Sequence, residues 1–440
     1  MKTKRQWIGI PMLAAAGSCL VGCTATQFGP AVKIDSATES FMQAMTPAER
    51  STFERLYQEG ERNAVLNYNE LGLAALEAGH HEMAETAFGE AIQRIERVYA
   101  DDPNAKKAKS VWAEERVKDF KGEPYERSMA YYYRGLVFLR KGDFQNARAS
   151  FLSAEFQDTV AEKEEYQSDF ALMNYLAAWS SACDGDADRA QGLMKVATEK
   201  DAAFAPLSAT RPVLFLFESG KGPVKNASGK HRELLVFDDP APAVFTPKQI
   251  SVAGRTDERW VKGGDVAFQA MTRGGRPVQA ILDGKAQWKD GTQQVGDALV
   301  TAGTMTAMSG AMSNNSDMAA AGGYAALIGL AFDIASQGMR AGADTRQWSS
   351  LPRDIYVMEW DQPVQGSDAE VSYVKADAEG GVSKLQWLRP EGACQIAWGR
   401  APDTQGTPAV LRKLEPARGK RDDAFRQELL QKFASKGQPS

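Results

Sequence analysis

Three times in the first half of the chain, small and apolar residues recur at helical spacing on both sides of a short polar turn. Phe144, Ala147, Phe151 and Ala154 are spaced 3, 4 and 3 apart, so they share one helix face. Tyr131, Gly135 and Phe138 do the same one helix earlier, and Lys141-Gly142-Asp143 supplies the turn between them. Gly72, Gly79, Ala84, Phe88 and Ala91 stand at the corresponding places sixty-three residues earlier. Ala178, Gly185, Ala190, Met194 and Ala197 stand there forty-three residues later. Gly135, Ala147 and Ala154 let two backbones approach, and Phe151 fills the gap between them. Thr46-Pro47-Ala48-Glu49 predicts a helix start, with Thr as N-cap, Pro in the first turn and Glu completing a capping box. The pattern stays helical to about Phe204, broken once at Asp102-Pro103; residues 104–122 predict an inserted charged helix.

After Pro206 the period changes. Residues 213–217 and 234–237 are short apolar runs bounded by Gly, Pro and Asp, which predict buried strands. Residues 249–252, 355–360, 369–374, 383–388 and 394–398 predict further strands, and their alternation predicts a sheet with one wet face. Residues 265–271 and 276–282 flank Arg273-Gly274-Gly275 and read as a β-hairpin. Residues 295–339 are rich in Ala, Gly, Met, Ser and Thr, with no charge at 298–316 or 318–332. The second half of that stretch falls short of the roughly 20 residues that cross a bilayer, so a helical hairpin buried against the sheet is expected rather than a membrane-inserting one. Residues 411–440 predict a charged tail with a surface helix at 422–433 and disorder beyond it. The fold class expected is α+β: a helical domain at 49–205, then a β-rich domain at 206–410 carrying the small-residue hairpin.

Length and charge add an address. A chain of 440 residues holds two or three domains, and 43% apolar residues can fill sizeable cores. The 52 basic and 57 acidic residues are well mixed, giving a net charge of −5 and no basic face for nucleic acid. Lys2, Lys4 and Arg5 precede a short apolar stretch ending in Leu20-Val21-Gly22-Cys23. That tetrapeptide resembles a bacterial lipobox, which implies that residues 1–22 are removed as a signal peptide and that Cys23 is lipidated. Three acyl chains hold a protein on a membrane firmly where one does not. Residues 23–48 then read as a lipidated linker. Thr24 stands where an aspartate would favour the inner membrane, so the expected place is the outer membrane, facing the periplasm. Cys183 and Cys394 remain; they can pair in an oxidising compartment, but they fall in different predicted domains, and two buried thiols are expected.

The repeated Gly or Ala, Gly, Ala, Phe, Ala pattern resembles the consensus of tetratricopeptide (TPR) repeats, with a broken period and insertions. Three units are present, about the number needed for stability. Three further stretches are similar to a family of Gram-negative lipoproteins that joins degenerate TPR-like repeats to a C-terminal β-rich region. They are Phe120-Lys121-Gly122-Glu123-Pro124-Tyr125-Glu126-Arg127 entering Tyr131-Tyr132-Tyr133, Glu218-Ser219-Gly220-Lys221-Gly222-Pro223-Val224-Lys225, and Ala343-Asp344-Thr345-Arg346-Gln347-Trp348 leading to Leu351-Pro352. The resemblance implies a fold and an address, and no activity.

Candidate chemistry is sparse. The histidines are His80, His81 and His231. No metal-ligand spacing joins them, and a surface role is expected for the pair in the first turn. Gly220-Lys221 and Gly229-Lys230 lack the upstream glycine of a phosphate loop, since Phe215 and Val224 stand there. Glu218 with Lys221 and Lys225 is a candidate catalytic group, but a tight loop with solvated lysines is the simpler reading. No nucleophile elbow is present, so no enzyme and no cofactor or metal is expected. The candidate binding surface is the inner face of the repeats, where the register of TPR proteins places Asn69, Leu73, Tyr132, Leu136, Arg140, Tyr175 and Trp179. Aromatics and Arg anchor interfaces. The expected function is a lipid-anchored scaffold that binds an envelope protein partner there; the alternatives are peptidoglycan or glycan binding, or an accessory role in peptidoglycan synthesis.

Overall fold

The computed structural model describes residues 27–28, 30–100, 119–158, 170–228, 234–238, 243, 245–273, 343–365, 368–375, 378–404 and 413–434. The lipobox-like tetrapeptide, residues 104–118 of the insertion expected at 104–122, the predicted strand at 276–282 and the hairpin expected at 295–339 lie outside the described residues. The architecture is α+β: a helical layer lies against a large curled sheet.

The helical layer opens with α1 (Ser36–Met42) and α2 (Pro47–Glu59). The predicted start of α2 is present: the Glu49 N–H donates to Thr46 Oγ1 at 3.3 Å, and the Thr46 N–H donates to Glu49 Oε2 at 2.8 Å. Residues 36–42, expected within a linker, fold because Phe41 and Met42 are buried in the core. Three helix pairs follow: α3 (Ala64–Ala78) with α4 (His81–Ala100), α5 (Pro124–Lys141) with α6 (Phe144–Asp158), and α7 (Ala171–Cys183) with α8 (Ala187–Lys200). Their turns centre on Gly79, Gly142 and Gly185, all at positive φ, which lets each chain reverse within two or three residues. The first two pairs close on the glycine of their first helix. A Cβ added to Gly135 would sit 2.4 Å from the Phe151 ring, and one added to Gly72 would sit 2.8 Å from Phe88.

Those contacts give a paired prediction. Alanine is the better helix former by about 1 kcal/mol, so Gly89→Ala in α4, where the space is open, should stabilise by about that amount. At Gly135 the same gain is overcome by displacing a buried ring, and Gly135→Ala should destabilise by about 1–2 kcal/mol. Urea unfolding of the two variants should move in opposite directions.

The sheet runs in the order β6 (Arg255–Asp257), β5 (Phe245–Val252), β9 (Ala369–Lys375), β10 (Ala378–Arg389), β11 (Gln395–Arg400), β2 (Val213–Lys221), β8 (Pro352–Trp360), β7 (Val261–Asp265). All neighbours are antiparallel except β11 and β2. The central strands β2, β8 and β11 are buried on both faces, so the expected wet face is absent there. Leu214, Leu216, Ile355, Val357, Ile396 and Trp398 join the helical core. The opposite face curls inward, and Phe215, Phe217 and Met358 meet Ile250, Val371 and Tyr373 from the far strands. Smaller pairings join β1 (Gln27–Phe28) to β12 (Ala417–Arg418) and β3 (Val224–Ser228) to β4 (Leu234–Asp238).

Three expectations are corrected. Residues 265–271 are not a hairpin arm. Asp265 ends β7 and its Oδ1 accepts from the Phe268 N–H at 2.9 Å, starting α9 (Val266–Arg273). The tail helix, α10 (Lys420–Ala434), is not a surface element: Phe425, Leu429 and Phe433 are buried, and Phe433 meets Phe53 edge-on at 5.6 Å. Cys183 and Cys394 are not free thiols but a disulfide, closing 211 residues of sequence and stapling the end of α7 to the start of β11. Reduction should lower stability by about 2–5 kcal/mol, read as a fall in the thermal midpoint with a thiol reductant. A Cys183→Ser/Cys394→Ser double variant should be insensitive to the reductant.

Candidate functional site

The three stretches that carried the family resemblance lie far apart in sequence and meet in space. Glu126, in the first turn of α5, caps that helix by accepting from the Glu123 N–H at 2.7 Å. The same carboxylate accepts from Lys225 Nζ at 2.6 Å and, through its other oxygen, from the Trp348 N–H at 2.8 Å. Lys225 also donates to the Arg346 carbonyl at 2.9 Å, and its N–H donates to Gln347 Oε1 at 2.6 Å. Arg346 forks onto Asp344 and reaches Asn63 Oδ1 at 2.7 Å. Burial works against the Asp344 charge, but Arg346 and Lys225 outweigh it and hold the carboxyl below its ordinary range. Lys225, expected to be solvated, is buried: its acid partner comes from 99 residues away.

A second knot lies deeper. Glu218, on β2, accepts from Tyr133 Oη at 2.8 Å and Trp398 Nε1 at 2.9 Å, and pairs with Arg400 Nε at 3.0 Å. Arg400 also reaches Glu77 Oε1 at 2.5 Å and the Ser350 carbonyl. Burial pushes the Glu218 carboxyl up, and Arg400, Trp398 and Tyr133 oppose that only in part. Burial alone would lower Arg400; Glu77, Tyr133 and Glu218 more than offset it. A third acid, Glu359 on β8, accepts from Tyr175 Oη at 2.5 Å and the Ser208 N–H at 2.7 Å, with Arg211 at 3.4 Å. Arg400 and Glu359 were missed in the sequence, although Arg400 is the one charge of β11 and Glu359 ends the apolar run Ile355-Tyr356-Val357-Met358, and a charge in such a setting signals a buried pair.

These knots occupy the face on which a partner was expected. Asn69, Leu73, Tyr132, Leu136, Tyr175 and Trp179 are all at most 2% exposed. Tyr175 bonds to the sheet, and Trp179 Nε1 donates to the Arg211 carbonyl at 2.8 Å. Gly263 and Gly264 on β7 leave room for Leu172 of α7 to lie directly on the strand. The inner face is therefore covered by this chain's own sheet, and substituting Tyr132 or Trp179 removes core rather than a docking residue. Arg140 is the exception.

Arg140, in the last turn of α5, lines an open groove of about 520 Å³ with Leu388, Arg389, Pro390, Glu391 and Gly392. The Arg389 guanidinium lies 5.6 Å from the centre of the Phe144 ring. It is held between two glycines: a Cβ on Gly142 would fall 2.6 Å from one terminal nitrogen, and one on Gly392 would fall 2.9 Å from the other. Arg389 Nε is buried with no hydrogen-bond partner, and neither arginine has an ion pair among the described residues. His81 adjoins this region. Burial, then Arg140 and His80, pull it down to about 4, so it adds no charge at neutral pH. His80 instead meets the buried Glu49 at 2.6 Å.

Chemically, the described charges of the seam are buried and paired across the two layers. No group of metal-ligating side chains is present among the described residues, and no described helix is long and apolar enough to cross a membrane. Compared with family models, with curated proteins and with solved structures, the chain matches none.

Proposed function

We propose that the chain is a lipid-anchored scaffold on the periplasmic side of the outer membrane that binds a protein partner in envelope assembly or maintenance. In this reading the helix pairs are TPR-like units whose inner face carries the β-rich layer instead of a free peptide, so the partner meets the outer surfaces of the combined body. The observation that carries the proposal is Leu20-Val21-Gly22-Cys23 behind a basic n-region. The Cys183–Cys394 bridge supports it, because such bonds persist in oxidising compartments and are rare in the cytosol.

Metabolic labelling with an alkyne fatty acid, followed by membrane fractionation, tests the anchor. The wild type should carry the label and sediment with outer membranes, and Cys23→Ala should lose both. An unlabelled wild-type Cys23 would sink the proposal. Cosedimentation with purified sacculi separates this scaffold, which should stay in solution, from a peptidoglycan binder.

A further inference from the structure

We propose that the groove between α5 and the β10–β11 turn is a carboxylate-binding site, with Arg389 as its anchor and Arg140 as its second donor, suited to the C-terminus or an acidic side chain of a peptide. Such a site would work with or without the lipid anchor. Guanidinium groups match carboxylates because their planar forks donate two parallel hydrogen bonds. Elsewhere in this seam the buried arginines have acids: Arg346 has Asp344, and Arg400 has Glu77 and Glu218. Arg389 differs from both: it is half-buried, lines the open groove and has no ion pair among the described residues. It is fixed in place by Phe144, Gly142 and Gly392, yet its buried Nε has no acceptor. A carboxylate lying in the groove would give Arg389 and Arg140 the counter-charge that no acid of the described residues supplies.

The ionisable lining selects among oxyanions. Arg140 and Arg389 bring two positive charges and the exposed Glu391 brings one negative, so the groove carries +1. That balance fits a singly charged carboxylate better than a phosphate dianion or a polyanionic surface. The negative end of the α5 dipole lies behind Arg140 and offsets part of its charge, so Arg389 should contribute more. Glu391 on the rim also suits a ligand that has an amine near its carboxylate, as peptides have.

The test uses the full chain with ¹⁵N-labelled arginine, observing the Nε–Hε resonances at neutral pH. Arg389→Lys and Arg140→Lys assign the two signals, and unchanged remaining resonances show that each variant is folded. Sodium acetate should shift both signals saturably, with the larger shift at Arg389, while acetamide should shift neither. Glu391→Gln, at an exposed site, should tighten acetate by about threefold, as expected for removing one screened like charge. Phosphate should bind no tighter than acetate. Shifts that fail to saturate, that acetamide or chloride reproduces, or that Glu391→Gln leaves unchanged would overturn the proposal. So would signals that respond only to vesicles of anionic lipid and not to acetate, an outcome that would make the groove a membrane contact.

Discussion

Lys225→Met is expected to lower the unfolding free energy by about 3–5 kcal/mol, the cost of leaving one member of a buried ion pair alone. The side chains of Lys225 and Glu126 are each 1% exposed, so no water replaces the lost ammonium. Methionine keeps most of the volume, which isolates charge from cavity. Glu126 would retain the N–H groups of Glu123 and Trp348, enough to hold its rotamer but not to balance its charge. Glu126→Leu should cost a similar amount, since it strands the ammonium and removes a helix cap worth about 1 kcal/mol. The informative measurement is the double-mutant cycle. Glu126→Leu/Lys225→Met should be clearly more stable than the sum of the two losses predicts, with a coupling of at least about 2 kcal/mol. The double variant should still fall below wild type, because the Trp348 and Glu123 N–H groups lose their acceptor. Additive losses in urea unfolding would mean that the pair does not hold the layers together.

What could be read from the sequence, and what could not, divides along the range of the interactions. The helix pairs were legible because small residues and one large side chain at 3.6-residue spacing are a local signal, and Gly72, Gly135, Phe88 and Phe151 meet as that spacing demands. The capping box at Thr46 and Glu49 is equally local. The strands at 213–217 and 355–360 were legible as apolar runs. The helix at 266–273 was also within reach of the sequence: Val266, Ala267 and Ala270 are its buried apolar positions, a helical rather than an alternating set, and Asp265 is a good cap. The site was not legible. Tyr132, Tyr175 and Trp179 have the composition of a docking face and of a core, and only the sheet's position decides between them. Lys225 looked solvated because Gly222-Pro223 marks a turn, and its partner Glu126 belongs to another layer. The bridge between Cys183 and Cys394 is a consequence of how the layers meet, which no local pattern encodes. Glu126, Lys225 and Trp348 lie in three separate stretches of sequence and meet only because the two layers pack together.

Arg400→Met should be as damaging as loss of Lys225 at neutral pH, about 3–5 kcal/mol, but its cost should shrink in acid. Arg400 is fully buried and is the main charge opposing the upward push of burial on Glu218. With Arg400 present, the Glu218 carboxyl already lies above its ordinary value in the fold. Without it, the folded-state value must rise further, while the unfolded value is unchanged. A folded acid with a raised pKa binds protons more readily than the unfolded chain does, so stability increases as pH falls through the folded value and is lost as pH rises through it. The penalty of Arg400→Met, taken as the difference from wild type at each pH, should therefore be greatest near pH 8 and fall steadily towards pH 5. Taking the difference cancels groups with the opposite sign, such as Asp344, whose depressed value favours the fold as pH rises. Glu77 loses the same partner, but it is 18% exposed and can turn to water, so it adds little slope. Glu218→Gln in the Arg400→Met background should flatten the curve and recover part of the neutral-pH loss, because an amide needs no counter-charge, and its oxygen can accept from Trp398 while its NH2 donates to the Tyr133 hydroxyl oxygen. A penalty that is flat between about pH 8 and pH 5 would show that Glu218 does not sit ionised against Arg400 in the folded protein.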